Sequence, residues 1–351
     1  MHILHVVGAR PNFMKAAPVL SAVHGRNGTR QTLVHTGQHY DNNMSDVFFK
    51  QLQLPRPDLN LAVGSGSQAN QTAEIMVRFE AAVMERMPDL VVVYGDVNST
   101  VAAALVCSKL LIPVAHVEAG LRSFDRTMPE EINRLLTDQI SDLLFTPSSD
   151  GDENLVREGI ATSRIHLVGN VMVDTLIRLL EKAEHCVPPD LPDRYILVTL
   201  HRPSNVDDLE ALRQILEALA EIGQEIPVVF PVHPRTRQRL RELDIDLRRF
   251  SLLEPLPYLE FLALQRHACA VITDSGGIQE ETTYLGIPCI TLRENTERPI
   301  TVTMGTNVIV GRDMARLRAE LNTAVSGRWK TGRIPPLWDG HSGERIANIL
   351  S

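Results

Sequence analysis

Apolar residues in this chain fall in short runs, rich in β-branched side chains, set between longer stretches with helical spacing. Runs at 3–7, 32–36, 90–94 and 112–117 have the composition of strands buried on both faces, while helical patterns open at about Pro11 and cover 100–110. This alternation predicts βαβ units, and therefore parallel sheets clothed by helices on both sides. The rhythm breaks over 181–194, where Val187-Pro188-Pro189-Asp190-Leu191-Pro192 stops any helix and reads as a linker. Strands resume at 195–199, 228–232, 270–273 and 289–292. The pattern predicts an α/β protein of two doubly wound, Rossmann-like domains facing a cleft, one over 1–180 and one over 195–335. The segment 327–343 reads as loop, and a short terminal helix at 344–350 completes a separate tail over 336–351.

Composition agrees with two domains, because 351 residues exceed what one hydrophobic core usually supports. A hydrophobic share of 44% with 22% charged residues excludes a disordered chain. Thirty-five Lys and Arg against 43 Asp and Glu give a net charge of −8. Nucleic acid is thereby excluded as the main partner, though a local basic pocket for one phosphorylated small molecule is not. No apolar run approaches the length of a membrane span, and the first residues read as a strand and not as a signal peptide. Cys107, Cys186, Cys269 and Cys289 are scattered without a CxxC pair, as expected of reduced thiols in a cytoplasmic protein.

Ligands of open parallel sheets bind beyond the carboxyl ends of the strands, and polar residues gather at those positions here. They are Gly8-Ala9-Arg10-Pro11-Asn12-Phe13-Met14-Lys15, Gly95-Asp96, Glu118-Ala119-Gly120, His201-Arg202, His233, Asp274-Ser275-Gly276-Gly277, and Arg293 with Glu297-Arg298. Neither GxGxxG nor GxxxxGK[ST] occurs, so dinucleotide and P-loop fingerprints are absent. Ser275-Gly276-Gly277 before a helical stretch bares amides suited to an anion or ribose-phosphate, or else caps the helix and allows close packing. Asp96 and Glu118 lie 22 residues apart, one βαβ step, so their strands should be neighbours. Two carboxylates there suit acid and base roles, although Asp96 suits a helix cap equally well. Arg10 and Lys15 read either as ligands or as a solvated surface pair. His35 and His39 lack a third ligand and helical spacing, so no metal site is expected. His2 and His5 alternate along the first strand and read as structural.

Taken in order, these segments resemble the non-hydrolysing UDP-N-acetylglucosamine 2-epimerases over nearly the whole chain. The resemblance also rests on His35-Thr36-Gly37-Gln38-His39, His116-Val117-Glu118-Ala119-Gly120-Leu121-Arg122, Pro129-Glu130-Glu131-Ile132-Asn133-Arg134, Pro231-Val232-His233 and Thr296-Glu297-Arg298-Pro299. It implies a glycosyltransferase-B-like fold, a homodimer, and interconversion of UDP-GlcNAc and UDP-ManNAc without NAD or metal. By the same resemblance Ser275, Gly276, Gly277 and Glu281 hold the uridine, with Phe261 on the uracil side. Arg10, His201 and Arg298 face the diphosphate with Lys15 nearby, and Asp96, Glu118 and Glu130 surround the sugar. A related family acts on UDP-2,3-diacetamido uronates, and the Thr-Glu-Arg-Pro segment favours the GlcNAc enzyme over it. A glycosyltransferase of the same fold and an idle UDP-sugar sensor are the rival readings. Relatives that require UDP-GlcNAc as an activator use a second site, for which Gln38, His39 and His233 are the counterparts. Asp46 stands where those relatives carry glutamine, which predicts little or no activation here.

Overall fold

The structure, a computed structural model, describes residues 1–38, 51–52, 54–189, 191–243 and 245–351. Contacts divide the chain into two units, Met1–Arg178 with Pro336–Ser351, and Leu179–Pro335. The helix Val171–Glu184 runs across that division, further than the sequence break at 181 suggests.

The first unit is built on β1 (His2–Val7), β2 (Arg30–His35), β3 (Leu59–Asn60), β4 (Leu90–Tyr94), β5 (Val114–Val117), β6 (Leu143–Thr146) and β7 (Ile165–Leu167). All pair in parallel, in the order β3-β2-β1-β4-β5-β6-β7. Alternate residues Leu4, Val6, Val91, Val93 and Val114 join Phe79 and Val83 of the helix Gln68–Arg86 in one core. The intervening Ile3, Val7 and Val92 are equally buried, which explains why these strands are apolar without alternation. His5 lies among them with Nδ1 2.7 Å from the Tyr94 hydroxyl, and burial drives its pKa down to about 3. It is a structural histidine, as its place in the first strand predicts.

The second unit carries β8 (Ile196–Thr199), β9 (Val228–Pro231), β10 (Phe250–Leu253), β11 (Ala270–Thr273), β12 (Cys289–Thr291) and β13 (Asn307–Ile309). Their order is β10-β9-β8-β11-β12-β13, again all parallel. Ile196 and Val198 pack with Leu212, Leu216 and Leu219, whereas Tyr195 and Leu197 pack with Leu264 and Ile287. A period of two thus feeds two cores, one on each face.

The tail returns to the first unit. Trp338 Nε1 donates to the Pro147 carbonyl at 2.9 Å and Gly343 N to Asp174 Oδ2 at 2.7 Å. The terminal helix, Ser342–Ile349, packs on the helix Arg10–Val23 so closely that a Cβ on Gly343 would sit 2.6 Å from the Pro18 carbonyl oxygen. Cys107 and Cys289 are buried, Cys186 and Cys269 half-buried, and all four are free thiols. Among the described residues no helix is long and apolar enough to cross a membrane.

In each unit the strand order reverses at one place, between β1 and β4 and between β8 and β11. Carboxyl ends at such a reversal are where doubly wound sheets bind ligands.

Candidate active site

The first unit assembles a carboxylate pair. Register places Tyr94 opposite Val117, so Gly95-Asp96 and Glu118 leave neighbouring strands side by side, as their spacing predicts. Glu118 has φ 72°, a left-handed conformation that costs a side-chain-bearing residue about 1–2 kcal/mol. It is held there because Glu118 N and Ala119 N both donate to the Phe145 carbonyl at 3.0 Å. Its carboxylate is ion-paired with Lys15 Nζ, both side chains being buried. The structure therefore corrects the surface reading for Lys15, though not for Arg10. Arg10 is exposed, but Lys15 is 5% exposed.

Asn12 sets the helix that delivers Lys15. Its Oδ1 accepts from Gly8 N at 3.0 Å and Ala9 N at 3.1 Å, and its Nδ2 donates to the Tyr94 carbonyl at 2.7 Å. Gly95 leaves room for the lysine, since a Cβ there would lie 2.5 Å from Lys15 Nζ.

The helix Asn98–Lys109 has Val97, not Asp96, at its N-cap. Asp96 Oδ2 meets Arg134 Nη1 at 2.5 Å, and the Asp96 carbonyl accepts from Asn133 Nδ2 at 2.9 Å. Arg134 is anchored in turn by Glu131 at 2.6 Å, which also accepts from Ser123 N and Phe124 N at 2.9 Å. Burial works to raise the Glu131 pKa, but Arg134 and the Ser123 amide outweigh it and hold it low. Glu130, beside it at the start of the helix Pro129–Ile140, is half-buried with no hydrogen bond or ion pair among the described residues. Behind the pair, the His116 ring is held between two acceptors, Asp138 Oδ1 at 2.6 Å and the Gly95 carbonyl at 2.8 Å. Asp138 also pairs with Arg122 at 2.7 Å, and Arg122 reaches Glu158 at 2.7 Å.

The second unit gathers cations and a glycine turn. His201 Nδ1 lies 2.7 Å from Asp274 Oδ1, while its side chain remains 57% exposed. Arg298 is buried and paired with Glu280 at 2.9 Å and Glu297 at 2.6 Å, and Arg293 meets Glu297 at 2.7 Å. Gly276 admits this network, because a Cβ there would lie 2.6 Å from Glu297 Oε1 and press on Arg298 Nη1. Ser275 and Gly277 flank it, half-buried, at the start of the helix Gly276–Leu285, and Ser275 makes no side-chain cap. Glu281, one turn further on, is buried and accepts from the Tyr258 hydroxyl at 2.8 Å on Oε1, while Oε2 has no hydrogen-bond partner among the described residues. Burial, reinforced by the charge of Glu280, raises its pKa to about 7 against the opposing Tyr258 hydrogen bond. Phe261 is half-buried and packs on the apolar cluster of Tyr195, Leu197 and Leu264.

Of the residues expected at a second site, His233 is exposed on the turn after β9. Gln38 is buried, and its Oε1 accepts from Ser99 N at 3.2 Å and Ser99 Oγ at 2.7 Å. His39 and Asp46 lie outside the described residues. His35, the other half of the discounted metal pair, stacks on Phe13 at 5.3 Å. Among the described residues no group of three His, Cys, Asp or Glu is placed to hold a metal ion.

The sequence reading noted the segments holding Asn133, Arg134 and Asp274 but gave those residues no role, and it missed Tyr258. Glu131 and Arg134 have the i,i+3 spacing of a helical ion pair, which was a readable signal. Tyr258 gave none.

The sequence profile described as UDP-N-acetylglucosamine 2-epimerase matches residues 21–351. The UDP-N-acetylglucosamine 2-epimerase of Methanocaldococcus jannaschii is 44% identical over 369 residues, covering 100% of this chain and 99% of the relative. The UDP-2,3-diacetamido-2,3-dideoxy-D-glucuronate 2-epimerase of Pseudomonas aeruginosa is 45% identical over 319 residues, 90% of each chain. The crystal structure of the M. jannaschii UDP-GlcNAc 2-epimerase with UDP-GlcNAc and UDP superposes with a TM-score of 0.90 at 43% identity, covering 100% of this chain and 99% of that one.

Proposed function

The chain belongs to the UDP-N-acetylglucosamine 2-epimerase family, and from that premise we propose that it interconverts UDP-N-acetylglucosamine and UDP-N-acetylmannosamine by expelling and re-adding UDP. One step removes the C2 proton to an enzyme base while the C1–O bond breaks, giving UDP and 2-acetamidoglucal. The return step re-forms C1–O to UDP as C2 takes a proton on its opposite face. The sequence is redox-neutral and asks for no cofactor.

The observation that carries this reading is the pair Asp96 and Glu118 on adjacent strand ends, each braced by a buried cation, Arg134 and Lys15. Acid and base groups on the two faces of one carbon need such fixed carboxylates, and Glu130 is the third candidate. The developing charge on the departing diphosphate falls to His201, Arg298 and Arg10. The stiff Glu280–Arg298–Glu297 arrangement supports preorganised charge stabilisation, without reorientation during reaction. Ser275 offers its hydroxyl, its amide being bound to Thr273 Oγ1 at 3.0 Å. Gly276 and Gly277 offer backbone amides, Phe261 an apolar wall for the base, and Glu281 Oε2 an acceptor for ribose hydroxyls that is unpartnered among the described residues. Gln38, His39 and His233 are the residues proposed for a second nucleotide-sugar site, with activation weakened by Asp46.

Similarity to the P. aeruginosa enzyme supports a second substrate, a UDP-2,3-diacetamido uronate. We place the enzyme in the cytoplasm, as a homodimer supplying activated ManNAc to polysaccharide synthesis. The exposed Val77 and Met84 on the helix Gln68–Arg86 suit a surface covered by a second copy. The test is incubation with UDP-GlcNAc alone, followed in the anomeric region by NMR. UDP-ManNAc rising to a stable equilibrium supports the epimerase. Free sugar accumulating, or no change until an acceptor or the uronate is supplied, would overturn it.

A further inference from the structure

We propose that Asp274 is a positioning residue for the reaction. It fixes the His201 ring with its proton on Nδ1 and so presents Nε2 as the nitrogen that serves the departing diphosphate. The inference rests on the reading above that His201 acts in turnover.

Strand register builds the pair. Thr199 of β8 lies opposite Thr273 of β11, so His201, two residues past one strand, meets Asp274, one residue past the other. The Asp274 side chain is fully buried and surrounded by donors. It accepts from His201 N at 3.0 Å, Arg202 N at 2.9 Å, Asn205 Nδ2 at 3.1 Å and His201 Nδ1 at 2.7 Å. Asn205 is itself tethered to the Leu292 carbonyl at 2.9 Å, and Arg202 Nε donates to the Asp274 carbonyl at 3.1 Å. The carboxylate therefore has no freedom to turn away from the ring.

Burial acts to raise the Asp274 pKa, yet the hydrogen bond and charge of His201 and the Arg202 amide outweigh it and hold it below the usual carboxylate value. An ionised carboxylate on Nδ1 requires that nitrogen to carry the proton, which leaves Nε2 to receive or give one. It also stabilises the imidazolium formed when Nε2 gains a proton. This is the role an aspartate plays toward a catalytic histidine generally, whatever the fold. A neutral amide in its place would keep its oxygen on the three donors that Oδ2 serves and turn its NH2 toward His201 Nδ1, favouring the opposite tautomer.

Three readouts on the full-length protein test it. In the wild type, ¹⁵N-histidine NMR above pH 8, with the His201 signal identified by its loss in His201→Gln, should show the Nδ1–H tautomer. An Nε2–H ring would overturn the proposal without any Asp274 variant having to fold. Asp274→Asn should invert the tautomer and lower kcat by roughly 10²–10⁴-fold, while UDP binds within about threefold of wild type. In a His201→Gln background the same substitution should change kcat by less than about threefold, the mark of two residues acting as one. An equal loss in both backgrounds, or weakened UDP binding that accounts for the loss, would make Asp274 merely structural. Normal turnover in Asp274→Asn with an inactive His201→Gln overturns the inference alone. Normal turnover in His201→Gln overturns the reading of His201 beneath it.

Discussion

Glu281, proposed above as a ligand of the ribose, illustrates how such a residue is kept at the expense of stability. Its carboxyl is buried, with one oxygen unpartnered among the described residues, and burial raises its pKa from 4.5 to about 7. A folded-state value above the unfolded one means that the associated stability is complete below pH 4.5 and is lost as pH rises through about 7. Glu281→Gln should therefore raise the melting temperature of the unliganded protein relative to wild type at pH 8, with little gain at pH 5, while weakening UDP affinity. Equal shifts at both pH values would contradict this. Asp96→Asn and Glu118→Gln should each lower kcat by at least about 10²-fold, as for a lost general acid or base, with UDP affinity retained. Near-normal kcat in both would reduce these residues to packing groups. Their adjacency was legible in the sequence, because 22 residues is one βαβ step and β4 does pair with β5. Their cations were less so. Lys15 is 103 positions from Glu118, and only the folded sheet brings such a pair together.

Elements were legible where burial was two-sided. The runs at β1, β4, β8 and β11 are mostly apolar, without strict alternation, because both faces of each sheet are covered, so composition marked them. β7 (Ile-His-Leu) and β13 (Asn-Val-Ile) are too short and mixed to register as runs, and only pairing with β6 and β12 makes them strands. The start of the helix Gly276–Leu285 was ambiguous between a cap and an anion site. Ser275 gives no side-chain cap, and Gly276 lies against Glu297 and Arg298. Gly276→Ala should cost about 1–3 kcal/mol by overpacking and weaken UDP binding on the order of tenfold or more, about 1.4 kcal/mol. Calorimetry with UDP checks the second figure, and unchanged affinity would show that Arg298 stands away from the nucleotide.

At the scale of the whole chain, the return of 336–351 was not legible. The sequence shows a loop and a helix there but not which unit they join, a matter decided by Trp338, Gly343 and their contacts with Pro147, Asp174 and Pro18. Ending the chain at Pro335 should speed amide exchange in the helix Arg10–Val23 and leave the helix Leu209–Ile222 protected. Trp329, then the one tryptophan left of two, reports on the second unit by fluorescence. Faster exchange in both helices alike would contradict the assignment of the tail to the first unit alone. The central claim is that UDP leaves and returns while C2 loses and regains a proton, and its most direct test is turnover of UDP-GlcNAc in D2O. The account predicts UDP-ManNAc carrying deuterium at C2, the label entering recovered UDP-GlcNAc as the reaction reverses, with a slow leak of UDP and 2-acetamidoglucal. Product formed without deuterium at C2 would contradict it.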